Sequence, residues 1–335
     1  MSTPSTRTPT RGRERRLVDG APGLEPYAAA AKRRMLIIVN PYAATVSDRL
    51  RHLVVYALKG RFEVDAVDTE ARGHATELCR EAAHEGYDVV VAFGGDGTVN
   101  EAANGLLGSP TPLCALPGGS ANVFARILGI PGELVDATEH LLAMADDWRV
   151  RKIDLGVVND RCFTFNSGVG LDASVVEQVD ARPKLKARFG PYFFTWKAFG
   201  AAQRYLVRPP RMVIDDGRST LEAVTAIVQN GAPFTYFHDK RIDIAEGAEL
   251  DSGALVGAAL RRATPLAFSS IAVRALAPQA SVVGNSRITG LDAFGELTVR
   301  SADGRPLPLQ VDGDFLGEVQ EARYSIKPRA LNVVA

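Results

Sequence analysis

The run Val89-Val90-Val91-Ala92-Phe93 passes without a spacer into Gly94-Gly95-Asp96-Gly97, and then into a helical pattern from Val99 to Leu107. A short, wholly apolar run closed by glycine spells a strand buried on both faces, which belongs in a parallel sheet covered by helices. The surrounding sequence repeats the alternation. Met35 to Val39 reads as a strand ended by Asn40-Pro41, and a helical pattern through Leu50, Leu53, Val54 and Leu58 follows. Phe62 to Val67 reads as strand, His74 to His84 as helix, Leu113 to Leu116 as strand, Ala121 to Leu128 as helix and Leu134 to Ala145 as a further helix. Such an order predicts an α/β unit with a parallel sheet over residues 35–147.

Beyond Trp148 the texture changes. Val150 to Val158, Cys162 to Asn166, Met212 to Ile214, Ala223 to Gln229, Ala254 to Leu260, Ile271 to Leu276 and Leu297 to Val299 are short β-prone segments between Gly, Asp, Asn and Pro turns. They predict a mainly antiparallel β-sandwich over 148–335, interrupted by a helical island from Lys184 to Tyr205, with the extreme C-terminus free to return to the first domain. Residues 1–34, rich in Ser, Thr, Pro and Arg, read as a disordered basic arm.

Composition excludes several classes. The 39 Lys and Arg balance 39 Asp and Glu, so no overall field draws the chain to nucleic acid, and any polyanion must be met locally. Three scattered cysteines among apolar neighbours argue against disulfide and zinc frameworks. No apolar run reaches bilayer length and no signal-peptide core is present, so the expected location is cytoplasmic.

Ligands bind parallel sheets beyond the carboxyl ends of strands, where loops lead into helix N-termini. Gly94, Gly95 and Gly97 lie there. Glycines admit close approach of backbone amides to phosphate, and a helix beginning near Thr98 adds its positive end. The loop lacks the lysine of GxxxxGK[ST] and is not GxGxxG, so it is neither a P-loop nor a dinucleotide fingerprint. Asp96 beside a phosphate requires a cation or a donor between them. A tight turn capped by Thr98 explains the spelling equally well.

Further segments accompany this loop in a fixed order: Asn40-Pro41, Thr69 with Gly73-His74-Ala75, GGDGTVNEAANGL, Pro117-Gly118-Gly119-Ser120-Ala121-Asn122-Val123-Phe124-Ala125-Arg126, and Val311-Asp312-Gly313-Asp314. Together they resemble the diacylglycerol kinase catalytic domain of bacterial lipid kinases, relatives of sphingosine and ceramide kinases with an NAD-kinase-like fold. The resemblance implies a Rossmann-like nucleotide domain, a β-sandwich lipid domain and an ATP site between them. Carried over by position, it implies ATP contacts at Asn40, Pro41, Thr69, Gly94, Gly95, Asp96, Gly97, Thr98, Asn100, Glu101 and Ser120. Asp314 is implied as proton acceptor, where the family usually has glutamate, with Asp312 as its partner or a metal ligand. If that stretch is extended, the two carboxylates share a face, whereas Asp-Gly by itself favours an exposed hairpin turn.

Three positions depart from the family pattern. Asn40-Pro41-Tyr42-Ala43-Ala44-Thr45 replaces a glycine-containing segment, which passes phosphate contact there to Thr45. Val123 stands where a second acid is usual. Ser252 takes a ligand position of a structural magnesium loop, leaving Asp251 as the substitute metal ligand. The implied activity is Mg2+-assisted transfer of phosphate from ATP to diacylglycerol or a related lipid, giving phosphatidic acid for phospholipid biosynthesis. Peripheral membrane contact, through the basic and aromatic residues Lys184 to Lys197, and a homodimer are the expected associations. NAD kinase, which shares GGDGT, and a non-catalytic lipid- or nucleotide-binding regulator are the alternatives.

Overall fold

Strand β1 (Arg34–Val39) is built from an apolar run, and its side chains from Met35 to Val39 are buried. In the computed structural model the residues described are 32–43, 46–180, 206, 209–237, 240–267, 270, 274 and 286–335. Thr45, the helical island, the segment Ile271 to Leu276 except residue 274, and the N-terminal arm up to residue 31 lie outside them.

From β1 the chain runs through α1 (Asp48–Lys59), β2 (Glu63–Asp68), α2 (His74–His84), β3 (Val89–Gly94), α3 (Asp96–Gly105), β4 (Leu113–Pro117), α4 (Val123–Ile127) and α5 (Leu134–Met144). β2, β1, β3 and β4 are adjacent in that order and all parallel. α1 starts at a Ser47 cap whose hydroxyl accepts from Leu50 N. Its buried Val54 and Leu58 join one apolar core with β1, β3, β4, Phe124 and Leu141.

The strands after β5 (Val150–Val158) and β6 (Arg161–Phe163) form a second pattern. β7 (Asn166–Val169) leads into α6 (Leu171–Asp180), and β8 (Met212–Asp215), β9 (Thr220–Ala223), β10 (Thr225–Gln229), β11 (Thr235–Phe237), β12 (Lys240–Ile242), β13 (Leu255–Leu260), β14 (Ile288–Phe294), β15 (Glu296–Ser301), β16 (Leu307–Val311), β17 (Asp314–Val319) and β18 (Glu321–Val334) follow. β14, β13, β10, β7, β16 and β17 make a six-stranded antiparallel sheet. Its apolar side shares a core with β15 and β8, centred on Phe163 and Tyr324, whose rings meet edge to face 6.2 Å apart.

β18 joins the two patterns. It pairs antiparallel with β5 and β15, and its last turn of chain pairs parallel with β4 at Val333 and Leu113. Ten strands therefore form one sheet, parallel at one end and antiparallel at the other. Arg33–Ala335 is one unit by its contacts. Asn100 and Asn104 on α3 fasten it further by donating to the Cys162 carbonyl at 3.0 and 3.1 Å. Among the described residues no helix is long and apolar enough to cross a membrane.

Candidate active site

A cavity of about 240 Å³ opens at the carboxyl ends of β1, β2 and β3. Asn40, Tyr42, Thr69, Glu70, Ala71, Arg72, Gly97, Thr98, Glu101 and Asp314 line it. Asn40, Thr69 and the first turn of α3 come from the sheet's own loops, while Asp314 arrives from the opposite side on the β16–β17 hairpin. Asn40 Nδ2 donates to Thr98 Oγ1 at 3.1 Å, which ties the β1 loop to the α3 loop.

The glycines divide into two roles. A Cβ on Gly118 would lie 2.9 Å from Gly94 Cα, and one on Gly119 would lie 2.7 Å from Gly95 Cα. Both distances are too short for any side chain, so Gly118 and Gly119 are required because the β4 loop lies backbone to backbone against the β3 loop, whereas a Cβ on Gly94 would meet the Thr98 side chain. Gly118 N also donates to Gly94 O at 2.8 Å. Gly97 serves the site instead: a Cβ there would fall 2.6 Å from Asp314 Oδ2. It is the missing side chain at 97 that lets the carboxylate reach the first turn of α3.

Helix α3 begins at Asp96, two residues before the sequence reading placed it, because Gly95 is extended and caps it with its backbone alone. Asp96 turns away to the next helix. Its Oδ1 accepts from Phe124 N at 3.0 Å, and the Val123 amide also donates to it. The carboxylate thus caps α4, which starts at Val123 and not near Ser120. Asn122 cannot cap α4 itself, since it sits at φ 47° and folds its amide back onto Gly119. Burial pushes Asp96 up to about 6, and the nearby negative charges of Asp312 and Asp314 push in the same direction.

Asp312 and Asp314 do not lie on one extended strand. Val311 pairs with Asp314, and Asp312-Gly313 is the two-residue turn between β16 and β17, with φ 46° and 81°. Both residues have positive φ, which suits the Asp-Gly spelling. The turn is buried, however, because the Asp312 carboxylate is surrounded by donors. It accepts from Asn100 Nδ2 (2.7 Å), Thr164 N (2.7 Å), Thr164 Oγ1 (2.9 Å), Phe165 N (3.0 Å) and Asn166 N (3.1 Å). Burial nevertheless raises its pKa. With its lone pairs occupied in this way, Asp312 is an anchor for the turn. Asp314 is left facing the cavity, with Arg72 Nη2 3.7 Å from its Oδ1.

Other residues singled out from the sequence sit elsewhere. Asn100 is fully buried and points to Asp312 and to Arg161, whose Nη2 donates to it at 2.5 Å, so it bridges elements instead of facing the cavity. Glu101 lines the cavity, but its carboxylate caps α2 by accepting from Gly73 N and Ala75 N at 2.8 and 3.3 Å. Ser120 and Pro41 are exposed and outside the cavity lining. Asp251 is paired with Arg151 at 3.0 Å, and the Ser252 hydroxyl donates to the Glu249 and Ala254 carbonyls. Among the described residues no group of three or more His, Cys, Asp or Glu is placed to hold a metal. Arg72, Glu70 and Tyr42 were not anticipated. Arg72 directly precedes Gly73-His74-Ala75 in the loop after β2, and its position beyond a strand's carboxyl end was the available signal.

Comparison with known proteins bears on the fold and the family. Residues 34–158 match the model of the diacylglycerol kinase catalytic domain. The diacylglycerol kinases of Staphylococcus aureus strains JH9 and Newman are each 33% identical over 172 residues, which is 50% of this chain and 53% of theirs. The chain therefore spans about half the length of the curated relatives it matches. The crystal structure of a diacylglycerol kinase from Bacillus anthracis str. Sterne aligns with 90% of this chain and 97% of that one, at TM-score 0.66 and 20% identity. Two further structures from that organism cover the same shares at TM-scores 0.71 and 0.70, with 22% and 21% identity, and these likenesses speak to the fold. Over residues 34–158, then, the chain is similar to the diacylglycerol kinase catalytic domain.

Proposed function

We propose that the protein is an ATP-dependent lipid kinase that phosphorylates the free hydroxyl of diacylglycerol or a closely related lipid alcohol. One observation carries the reading: a carboxylate from the β-sandwich side, Asp314, rests against the first turn of α3, so a proton acceptor and a helix N-terminus border one cavity. Helix N-termini with unpaired amides attract phosphate, and Arg72 adds a cation on the same wall. In the proposed reaction the acceptor hydroxyl gives its proton to Asp314 as its oxygen bonds to the γ-phosphorus. The bond to the bridging oxygen breaks, and its electron pair leaves with ADP. Asp314 holds the alcohol in line and the α3 amides, Thr98 and Arg72 steady the phosphates, so positioning and electrostatics supply most of the rate.

A magnesium ion fits this lining as an ion borne by the nucleotide. Such an ion needs only one or two carboxylates besides phosphate and water, and with Asp314 reserved for the proton and Glu101 capping α2, Glu70 is the wall carboxylate that would hold it. When bound it neutralises charge on the transferring phosphate. The division into a nucleotide part over 35–147 and a lipid part over 148–335, membrane contact and a homodimer are part of the same proposal. Incubation with γ-labelled ATP and a panel of diacylglycerol, monoacylglycerol, ceramide, sphingosine, phosphatidylglycerol and NAD tests it. Label is expected in the diacylglycerol product; transfer to NAD alone, or to none of the panel, contradicts the reading.

A further inference from the structure

Gln310 is the last residue but one of β16, almost wholly buried, two residues before Asp312 opens the turn. All the bonding capacity of its amide nitrogen is used. Nε2 donates to Asp172 Oδ2 at 2.6 Å and to Asn166 Oδ1 at 3.0 Å, while Oε1 accepts from Gly313 N at 2.9 Å. Asn166 is fixed in turn, because its own Nδ2 donates to the Phe234 carbonyl at 2.9 Å. The reversed amide would set an NH2 against the Gly313 N–H and an oxygen against two acceptors. That rotamer is therefore excluded, and Asp172 contributes the stronger of the two locks because it is a carboxylate.

Gly168 gives a second, independent sign that this contact is built in. On β7, a Cβ at 168 would lie 2.2 Å from Asp172 Oδ2 and 3.0 Å from Gln310 Nε2. The backbone there needs no special conformation, so the glycine makes room for the pair. Asp172 sits in the first turn of α6, which packs on β16, β17 and β7. Burial raises its carboxyl to about 6, which leaves it ionised above neutral pH, and the Gln310 amide pulls in the opposite direction.

We propose that Asp172 is a positioning residue for the transfer step, acting through Gln310 to hold the Gly313 amide and hence the direction in which Asp314 is presented to the cavity. The turn is held from two sides. The amides of Thr164 to Asn166 grip the Asp312 carboxylate, and the Asp172–Gln310 pair grips the peptide between Asp312 and Asp314. Removing the second grip leaves the fold anchored while the residue after the turn gains freedom. Misplacing a reacting group by a fraction of an ångström to an ångström is costly in rate and nearly silent in nucleotide binding.

The proposal rests on the lipid kinase reading, and the experiment separates the two. Asp172→Ala, Gln310→Glu and the double variant Asp172→Asn/Gln310→Glu are compared with the unaltered protein by steady-state kinetics on diacylglycerol vesicles. Hydrogen exchange of the Gly313 amide is followed by NMR in the unliganded protein. Each single variant is expected to lose about 10–100-fold in kcat, with KM for ATP within about threefold. Gln310→Glu opposes two carboxylates, and the double variant exchanges donor and acceptor across the contact, so it should recover at least about fivefold over Gln310→Glu. Gly313 exchange should quicken about tenfold in Asp172→Ala, while the Thr164, Phe165 and Asn166 amides keep their protection. Unaltered kcat in Asp172→Ala, a double variant no better than Gln310→Glu, or unchanged Gly313 exchange overturns the proposal. So does a loss of protection shared by Thr164 to Asn166, which would make Asp172 a general support of the fold. If the unaltered protein phosphorylates no lipid, the kinase reading fails, and the exchange measurement alone decides whether the relay exists.

Discussion

Gly97 and Asp314 form the smallest unit of the site. The absent side chain and the carboxylate occupy the same few ångströms, and the obstacle that an added methyl meets is the end of a side chain that is 24% exposed. Gly97→Ala is therefore expected to displace Asp314 without unfolding the protein. Turnover should fall by about 10–100-fold while ATP affinity stays within about threefold and the melting temperature barely moves. Gly118 and Gly119 differ, because their obstacles are the backbone of Gly94 and Gly95, which cannot rotate away. The sequence showed where glycines cluster. It could not show which of them face a ligand and which face another loop, since that depends on the contact between β3 and β4 loops separated by some twenty residues of chain.

At the scale of elements, the N-termini of α3 and α4 are joined by Asp96, which opens the first helix and caps the second. Buried carboxylates are a cost when ionised, and here Asp312 and Asp314 add repulsion. Asp96→Asn keeps an oxygen for Phe124 N and removes the charge. The sign follows from the raised pKa: the folded protein holds a proton on Asp96 that the unfolded chain releases between about pH 4 and 6. Stability from this group is full below that window and is lost as pH rises through it. The variant should match the parent near pH 4 and exceed it by roughly 1–2 kcal/mol at pH 7.5, read from urea denaturation at each pH. A variant less stable than the parent at pH 7.5 would show that the charged cap is itself stabilising. Three of the parallel strands, β1, β3 and β4, were legible because burial on both faces leaves an apolar run that nothing else explains. The start of α4 was not, because it depends on Asn122 adopting positive φ and on a cap delivered from another helix. The Asp312 turn was half legible: Asp-Gly announces the hairpin, but its burial is decided by the amides of residues 164–166, far away in sequence.

At the scale of the whole unit Arg33–Ala335, a β-sandwich hairpin is brought to the mouth of a parallel sheet and fixed there. Asn100 reaches from α3 to Asp312 and Arg161, and β18 carries the chain back from the antiparallel strands to β4. The cavity has meaning only if both sides act together, one holding the nucleotide and the other supplying the base. The most direct test is the rate of label transfer from γ-labelled ATP to diacylglycerol by Asp314→Asn, measured beside its ATP dissociation constant. The substitution keeps shape and removes basicity, so turnover should drop by about 10²–10⁴-fold with ATP binding nearly unchanged. Full turnover in Asp314→Asn would contradict the account and place the proton acceptor elsewhere.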